Sequence, residues 1–267
     1  MYRVMGNGEL TMLKRYAILF LILLGSIEVV HAQWWVMQRS GHGGSCASGN
    51  DANTVLLIHS NTTDGSTTFV DSGKNAACPH AITVNGHTHH ETDYLFPGFG
   101  SSSIYFDGTA DYLSLADSAS WDLGAGDYCV EFKIRYVGAL ANTGLIGRYA
   151  SEANTWGLYH NVGAGRLEWY YGNGIRFEYS WVPTLNTPYH VAINRISGTQ
   201  RIFINGVVLG NNADAANYNT ATNLGIGDYG VGFAPNFHGY MTEIAIHVGD
   251  AVYPAGGFTP NARPYCD

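Results

Sequence analysis

Three of the eleven histidines lie in one short stretch, His87–Glu91 (HTHHE), which ends in a carboxylate, with His80 a few residues upstream. If the stretch forms a β-strand, His87 and His89 lie on the same face, because side chains alternate along a strand. Imidazoles on one face can chelate Zn²⁺, Ni²⁺ or Cu²⁺. The sequence shows no fixed fourth ligand, so a polar exposed strand is the favoured interpretation.

Aromatic residues are concentrated between positions 156 and 181. On a β-sheet, about half of such rings face the core and half face outward. Outward rings can stack on the apolar faces of sugars, while Asn, Asp and Gly in nearby loops bind hydroxyl groups. The alternative is that the rings only fill the sheet interior and coat its surface. The candidate ligand-binding residues are Trp156, Tyr170, Tyr171, Tyr179 and Trp181.

The four cysteines of the chain are Cys46, Cys78, Cys129 and Cys266. An even count in an exported chain favours disulfides, and three pairings are possible. We favour Cys46–Cys78 together with Cys129–Cys266. Strand alternation places Cys129 outward with Glu131, Lys133 and Arg135, where the C-terminal tail could reach it. A zinc site at the cysteines is disfavoured, because there is no CxxC and the spacings are long.

The elements that position these residues are strands separated by turns rich in Gly, Asn and Asp. Short alternating segments recur along the chain, about a dozen in all, as in a two-sheet sandwich or barrel. Tyr171–Gly174 and Asn205-Gly206 supply the positive φ that tight hairpins need. Alternation predicts six inward residues, each contributing roughly 1.5–3 kcal/mol on burial. They are Val191, Ile193, Ile202, Ile204, Ile244 and Ile246.

Four segments carry a resemblance to a known family. They are SIYFDGTADYLSL (103–115), DYCVEFKIRY (127–136), RIFINGVVLG (201–210) and FHGYMTEIAIHVGDAVYPAGGFTPNARPY (237–265). Together they resemble the LamG-like jellyroll family, and the resemblance runs from about Val55 to Tyr265. It implies an all-β fold: a two-sheet antiparallel β-sandwich of the concanavalin A-like jelly-roll type. Because this family mostly binds or decorates, the resemblance also implies a non-catalytic role.

The resemblance further implies a calcium site between the loop after the first strand and the last strand. The family's loop pattern corresponds to Asp71–Asn75, and its last-strand pattern corresponds to Gly239–Glu243. Asp71 and Glu243 would supply carboxylates and Asn75 a neutral oxygen, since Ca²⁺ takes six to eight oxygen ligands. The usual last-strand Asp is replaced by Thr242, and Lys74 adds a positive charge, so both changes weaken the site.

Related sandwiches that hydrolyse glucans carry a Glu-x-Asp-x-x-Glu run on one strand, which places two carboxyls on one face. The nearest match is Glu91–Phe96 (ETDYLF), which lacks the third acid. No Ser-His-Asp order, P-loop or dinucleotide motif appears either. The sequence therefore predicts a protein that is not an enzyme.

The N-terminal residues predict export. Lys14 and Arg15 precede an apolar run, Tyr16–Gly25, and residues 26–32 end in VHA, a small-residue cleavage site. The run is about ten residues, against the roughly 20 that span a bilayer, so a signal peptide is favoured over an uncleaved anchor. We predict a signal peptide over residues 1–32, an N-terminal extension over 33–53 and a LamG-like jellyroll domain over 54–267.

The chain has a formal net charge of −8, and charged residues make up 13% of it. This balance argues against nucleic acid and anionic membrane surfaces as partners, because both require clusters of Lys and Arg. We expect a secreted recognition module that binds a carbohydrate or surface glycan, or that acts in adhesion. The alternative is a structural subunit of an extracellular or phage-like assembly, a homo-oligomer formed through the extension with Trp34 and Trp35. A glycoside hydrolase is the third hypothesis.

Overall fold

The computed structural model describes residues 46–150, 152–232 and 236–267, and Cys46–Asp267 form one compact unit. The predicted signal peptide, Trp34 and Trp35 lie outside the described residues. The described part contains one short 3-10 helix, Ala119–Trp121, and fifteen strands. In chain order these are β1 (Thr54–Ile58), β2 (Ile82–Asn85), β3 (His89–Glu91), β4 (Ser103–Asp107), β5 (Tyr112–Leu115), β6 (Tyr128–Tyr136), β7 (Thr143–Gly147), β8 (Trp156–Asn161), β9 (Arg166–Tyr171), β10 (Gly174–Ser180), β11 (Pro188–Ile196), β12 (Thr199–Ile204), β13 (Val207–Ala213), β14 (Leu224–Ile226) and β15 (His238–Val248).

The strands form two antiparallel sheets. The eight-stranded sheet has the order β13-β12-β11-β6-β15-β4-β3, and β1 also pairs with β15. The seven-stranded sheet has the order β10-β9-β8-β7-β14-β5-β2. Neighbours in each sheet are mostly distant in sequence, so the chain crosses repeatedly between the two sheets. The predicted two-sheet antiparallel β-sandwich is confirmed.

The longest strand, β15, changes partner along one edge. Its first half pairs with β4 and its second half with β1, while β6 pairs with the other edge. The register with β6 shifts between Thr242 and Ala245, and Glu243 there has a φ of 51°. Such a bulge bends the strand and re-aims a side chain.

The core lies between the sheets, where alternate residues of both point inward. Five of the six predicted core residues are at most 1% exposed: Val191, Ile193, Ile202, Ile244 and Ile246. Ile204, at the end of β12, is only partly buried but packs against the same cluster. The seven-stranded sheet contributes large rings, including Trp156 and Trp169, both fully buried.

The two predicted hairpins are confirmed. Residues Gly172 and Asn173 join β9 to β10, and Gly172 has a φ of 58°. Asn205 and Gly206 join β12 to β13 with φ values of 52° and 77°. Both positions of a type I′ turn require positive φ, which Asn and Gly adopt at least cost.

The predicted disulfide pairing is wrong. Cys46 is bonded to Cys266, whereas Cys78 and Cys129 are free thiols. The reason is the path of the C-terminal segment, which returns to the first described residues: Ala47 bridges with Tyr265 in parallel. Segment 46–53, predicted as part of an extension, is therefore attached to the last residues of the chain.

Residues 249–267, here called the C-terminal strap, cover the outer face of the eight-stranded sheet. Cys129 lies on that face, as predicted, but it is fully buried. It clusters with Ala192 and Phe203 of the sheet and with Tyr253 of the strap. Tyr253 stacks on Phe258 with ring centroids 3.5 Å apart. The strap thus turns a predicted solvent face into a second small core.

Across 46–150, 152–232 and 236–267, no helix is both long and apolar enough to cross a membrane.

Candidate functional site

The outer face of the seven-stranded sheet carries four tyrosines that we call the tyrosine platform: Tyr149, Tyr159, Tyr170 and Tyr229. Tyr159 lies on β8 and Tyr170 on β9, both on the side opposite the buried Trp156, Leu158 and Trp169. Tyr149 follows β7, and Tyr229 lies in the loop after β14. All four side chains are half-buried, so each presents part of its ring to solvent.

The four rings are in mutual contact. Tyr229 stacks on Tyr149 with centroids 4.8 Å apart and an interplanar angle of 20°. It also lies 5.1 Å from Tyr159 and 5.5 Å from Tyr170. Tyr149 and Tyr170 meet edge to face at 5.2 Å. These are preferred aromatic geometries, and they fix the rings against one another.

Three glycines make room for the platform. On the outer face of β7 and β8, Gly144, Gly147 and Gly157 lie directly beneath Tyr229. A Cβ on Gly144 would come within 2.7 Å of the Tyr229 ring, and one on Gly147 within 2.6 Å of its carbonyl oxygen. The same carbonyl accepts a hydrogen bond from the Tyr149 N–H at 2.8 Å. Any other residue in β7 here would lift Tyr229 from the sheet.

A buried carboxylate anchors the platform from below. Glu168 is 1% exposed, and its Oε1 accepts hydrogen bonds from Arg166 Nε at 2.8 Å and Asn161 Nδ2 at 2.9 Å. The Tyr170 hydroxyl donates to its Oε2 at 3.1 Å. Arg166 also pairs with Glu178 Oε1 at 2.9 Å, so it bridges the two carboxylates. These bonds hold Tyr170 in one orientation.

Three of the platform tyrosines, Tyr159, Tyr170 and Tyr229, have raised pKa values and remain neutral at ordinary pH. Burial, followed by the charge of Glu168, raises the pKa of Tyr170 and of Tyr159. Burial, followed by the neighbouring Tyr149 and Tyr159, raises the pKa of Tyr229 to about 12. The site is thus a set of rigid apolar rings with uncharged hydroxyl edges. Such a surface suits a ligand with both an apolar face and hydroxyl groups.

The five aromatic candidates from the sequence are dispersed by the fold. Tyr170 is in the platform. Trp156 is fully buried and Tyr179 is 4% exposed, so the prediction that they bind a ligand is corrected: both fill the core. Tyr171 faces the core side and donates its hydroxyl to Asn154 Oδ1 at 2.8 Å. Trp181 packs beside His160 and Tyr136 at the core edge.

Sequence reasoning missed Tyr149, Tyr229 and Glu168. The first two lie outside strands, so no alternation pattern marks them, and Glu168 looks like an ordinary surface residue of β9. The available signal was the run of glycines at outward positions of β7 and β8. A strand interior with several glycines often marks a place where another backbone or ring approaches closely.

The three calcium candidates have different partners. Asp71 Oδ1 accepts the N–H groups of Leu57 and Gly73, and its Oδ2 accepts the His80 N–H. Glu243 contacts His59 Nδ1 at 2.5 Å and accepts the Tyr265 N–H at 2.9 Å. Asn75 Oδ1 accepts the Ala77 N–H. No hydrogen bond joins any two of these three described residues, so they do not form one group of oxygen ligands, and calcium binding stays a prediction.

The histidine stretch does not present one face. His90 is 2% exposed, and its Nδ1 lies 2.7 Å from Ser60 Oγ. His87 precedes β3 and is exposed, and His89 pairs with Glu91 at 3.3 Å. His80 lies apart, beside Asp71. The favoured interpretation as a polar surface segment holds for His87, whereas His90 is structural.

The outer face of the other sheet has a different site, sealed under the strap. Glu131 of β6 is 2% exposed; its Oε2 contacts His190 Nε2 at 2.7 Å and the Tyr253 hydroxyl at 2.5 Å. Its Oε1 accepts the Tyr265 hydroxyl at 2.7 Å, with His247 Nε2 at 3.4 Å. Burial alone would raise the pKa of Glu131, but His190 and His247 outweigh it and hold the pKa well below its usual range.

Comparisons with known proteins agree with this architecture. Residues 107–249 match the family model for the concanavalin A-like lectin/glucanases superfamily. The match spans just over half of the 267 residues, so the chain belongs to this superfamily. None of the curated proteins compared with this chain matches it.

Three of the solved structures that match this chain show the same fold. Domain 4 of the extracellular arabinanase AbnA from Geobacillus stearothermophilus, solved with arabinotriose, has a TM-score of 0.55 and 18% identity over 78% of this chain and 95% of that one. The binding domain of Paraclostridial Mosquitocidal Protein 1 has a TM-score of 0.55 and 13% identity, over 73% of this chain and 48% of that one. The Botulinum Neurotoxin serotype G binding domain has a TM-score of 0.54 and 11% identity, over 79% of this chain and 49% of that one. The chain spans about half the length of the two toxin domains, and identities this low show the fold alone.

Proposed function

We propose that this protein is a secreted, non-catalytic module that binds a neutral glycan on the tyrosine platform. The observation that carries the proposal is the packing of four half-exposed tyrosines on the outer face of the seven-stranded sheet. Rigid rings lose little conformational freedom on binding and stack on the apolar faces of sugars. Asn161 and the tyrosine hydroxyls stand at the platform as hydrogen-bonding groups.

A neutral ligand follows from the charges at the platform. The described charged residues beside the platform include Glu168, Glu178, Asp228 and Arg166, and Arg166 is paired with both glutamates. Among the residues that the structure describes there, no cation is left to attract a sugar carboxylate, and the chain as a whole is acidic. An anionic glycan would therefore meet a repulsive surface.

A binding role fits better than hydrolysis. Glycosidases use two carboxyl groups, one as acid and one as base or nucleophile. On the platform the two candidates, Glu168 and Glu178, both have Oε1 bound to Arg166, and Glu168 is buried. The fold neighbours are described as binding domains, which supports the same choice.

Export to the extracellular space is supported by two features. The first is the pattern of residues 14–32, and the second is the disulfide between Cys46 and Cys266. Disulfides persist in oxidising compartments and are rare in the cytosol. Homo-oligomerisation through residues 33–53 stays a prediction.

The test is retention on immobilised neutral polysaccharides, arabinan included, with ligands first ranked on a glycan array. Tyr170→Ala and Tyr229→Ala should each weaken retention at least about tenfold, since aromatic anchors dominate such sites. Tyr105→Ala is the matched control, because Tyr105 is a half-buried tyrosine on the opposite sheet. Equal loss in all three variants, or no neutral glycan bound by the wild type, would refute the proposal.

A further inference from the structure

Three metal-ligating side chains lie together in the segment between β1 and β2. Asp71, Cys78 and His80 each offer one ligand atom, and these atoms all lie within 4.8 Å of one another. We propose that these residues bind one Zn²⁺ ion, with water or an external ligand in the fourth position. The proposal does not depend on glycan binding, because none of the three belongs to the tyrosine platform.

The three types of ligand atom favour zinc. A thiol sulfur, an imidazole nitrogen and a carboxylate oxygen are the three ligand types that Zn²⁺ takes in proteins, at about 2.0–2.3 Å. Calcium takes oxygen ligands only. Tetrahedral bonds of that length place ligand atoms roughly 3.5 Å apart, so side-chain adjustments of about 1 Å would close the observed group around an ion.

Asp71 is already oriented for this role. It is 4% exposed, and its Oδ1 accepts the N–H groups of Leu57 and Gly73, both at 3.0 Å. Its Oδ2 accepts the His80 N–H at 3.0 Å and faces His80 Nδ1 at 2.8 Å. Outer hydrogen bonds of this kind hold a ligating carboxylate in place. Oδ2 therefore points at the position that the ion would occupy.

His80 has a second partner that fixes its ring. Nε2 lies 3.1 Å from Ser120 Oγ, and the ring packs on Trp121 at 4.4 Å. If Nδ1 binds zinc, the ring proton resides on Nε2 and is donated to Ser120. A metal-bound histidine almost always donates its other N–H in this way.

Cys78 supplies the sulfur. It is a free thiol, half-buried, and its Sγ lies 3.4 Å from the Val55 carbonyl oxygen. On binding, the Zn–S bond forms as the S–H bond breaks, and the proton passes to solvent. The partial exposure of Cys78 and His80 gives the ion a way in.

A glycine keeps the space beside the ligands open. A Cβ on Gly73 would lie 2.7 Å from Cys78 Sγ and 3.1 Å from Asp71 Oδ1. Gly73 does not have positive φ, so backbone conformation does not require glycine there. What requires it is the close approach of the sulfur, of the Thr54 carbonyl oxygen at 2.8 Å, and of the carboxylate.

Ser120, His80 and Asp71 are also joined by hydrogen bonds in the order of a Ser-His-Asp catalytic triad. Acyl transfer needs N–H groups aimed at the developing oxyanion. Here the Ser120 N–H is bound to Ser118 Oγ, and those of Trp121 and Asp122 are bound to the carbonyls of Ser118 and Ala119. The local N–H groups are therefore not free for catalysis, whereas a metal needs none of them.

The test is a cobalt(II) titration of the metal-free protein with its Cys46–Cys266 disulfide intact, since Co²⁺ reports thiolate ligation by a charge-transfer band in the near ultraviolet. We expect a band that saturates at one ion per chain and disappears when Zn²⁺ is added. Cys78→Ser should abolish the band. Cys129→Ser is the matched control, because Cys129 is the other free thiol and lies fully buried under the strap.

Two further variants separate ligation from folding. Ser120→Ala, which removes the partner of His80 and the acceptor of the Ser118 hydroxyl but none of the three ligands, should weaken Zn²⁺ affinity about 10-fold in a chelator competition. Gly73→Ala should weaken it while leaving all three ligands in place. Absence of the band in wild type, or a band that survives in a folded Cys78→Ser protein, would overturn the proposal.

Discussion

The outer faces of the two sheets are built alike, but one is covered by the strap and the other is open to solvent. Both are built from outward residues of alternating strands, and each holds a buried glutamate, Glu131 on one and Glu168 on the other. On the eight-stranded sheet, rings from the strap close over Glu131. On the seven-stranded sheet, Tyr149 and Tyr229 from loops lie beside Tyr159 and Tyr170 but leave the surface open. Aromatic residues therefore complete the fold on one face and form an open platform on the other.

The difference shows what a covering segment does to a sheet. The strap is tied at its end by the Cys46–Cys266 bond. The hydroxyls of Tyr253, near its start, and Tyr265, near its end, donate to Glu131. Its rings are used internally, so they cannot bind a ligand without unfolding. The platform rings are fixed by one another and by Glu168, and their outer surfaces remain available.

The largest loss of stability is expected from Glu131→Ala on the covered face. Removing one member of a buried, hydrogen-bonded charge group should lower the free energy of unfolding by about 3–5 kcal/mol. The matched control is Glu178→Ala on the open face, whose side chain is 47% exposed and which should change stability by less than about 0.5 kcal/mol. Chemical denaturation measures both. Similar losses in the two variants would mean that the faces do not differ as described.

Removing the disulfide should have the next largest effect. The Cys46→Ser/Cys266→Ser variant should lose about 2–4 kcal/mol of stability, because the bond closes most of the chain into one loop. The strap should also open more often. Alkylation of Cys129, followed by mass spectrometry, should therefore speed up, with Cys78 as the internal reference. An unchanged Cys129 rate would show that the bond does not hold the strap.

His160, on the inner side of the seven-stranded sheet, should make the stability of the fold depend on pH. Burial lowers the pKa of His160 to about 4 against 6.5 for the free side chain, with a backbone contact to Trp181 opposing only in part. The unfolded chain thus takes up this proton between pH 6.5 and 4 while the folded chain does not. Stability should fall with decreasing pH in that window by about 3 kcal/mol from this residue.

The measurement is the free energy of unfolding of wild type and His160→Leu at several pH values. Other groups titrate in both proteins, so only the difference between the two curves reports His160. The difference should be flat above pH 6.5 and should change steadily below it. Parallel curves throughout would contradict the assignment.

The smallest effect is expected from Tyr170→Phe. This variant keeps the ring but removes the hydroxyl that donates to Glu168, so it should cost about 1 kcal/mol of stability. Glycan retention should stay within about threefold of wild type, because stacking depends on the ring. A loss as large as that of Tyr170→Ala would mean that the hydroxyl, not the ring, carries recognition.

The sequence predicted the parts of this molecule that depend on local pattern. Alternation identified Val191, Ile193 and Ile246 as core, and Asn205-Gly206 as a hairpin, because strand period and turn conformation are local properties. It also placed Cys129 on the outer side of β6.

What it could not predict depends on the paths of non-repetitive segments. The strap buries Cys129 and brings Cys266 to Cys46, 220 residues away in sequence, which no strand pattern encodes. The platform likewise needs Tyr149 and Tyr229, which lie in loops. Trp156 and Tyr179 were misassigned because a ring-rich strand looks the same whether its rings face the core or solvent.

The measurement that tests the central claim most directly is NMR of protein with ¹³C-labelled tyrosine rings, during titration with the best neutral glycan. Tyr149, Tyr159, Tyr170 and Tyr229 can be assigned by single substitutions. We expect their signals to shift together and saturate, while those of Tyr105 and Tyr240 on the opposite sheet, and of Tyr94 packed against Tyr240, do not move. Shifts confined to those three, with the platform unaffected, would contradict it.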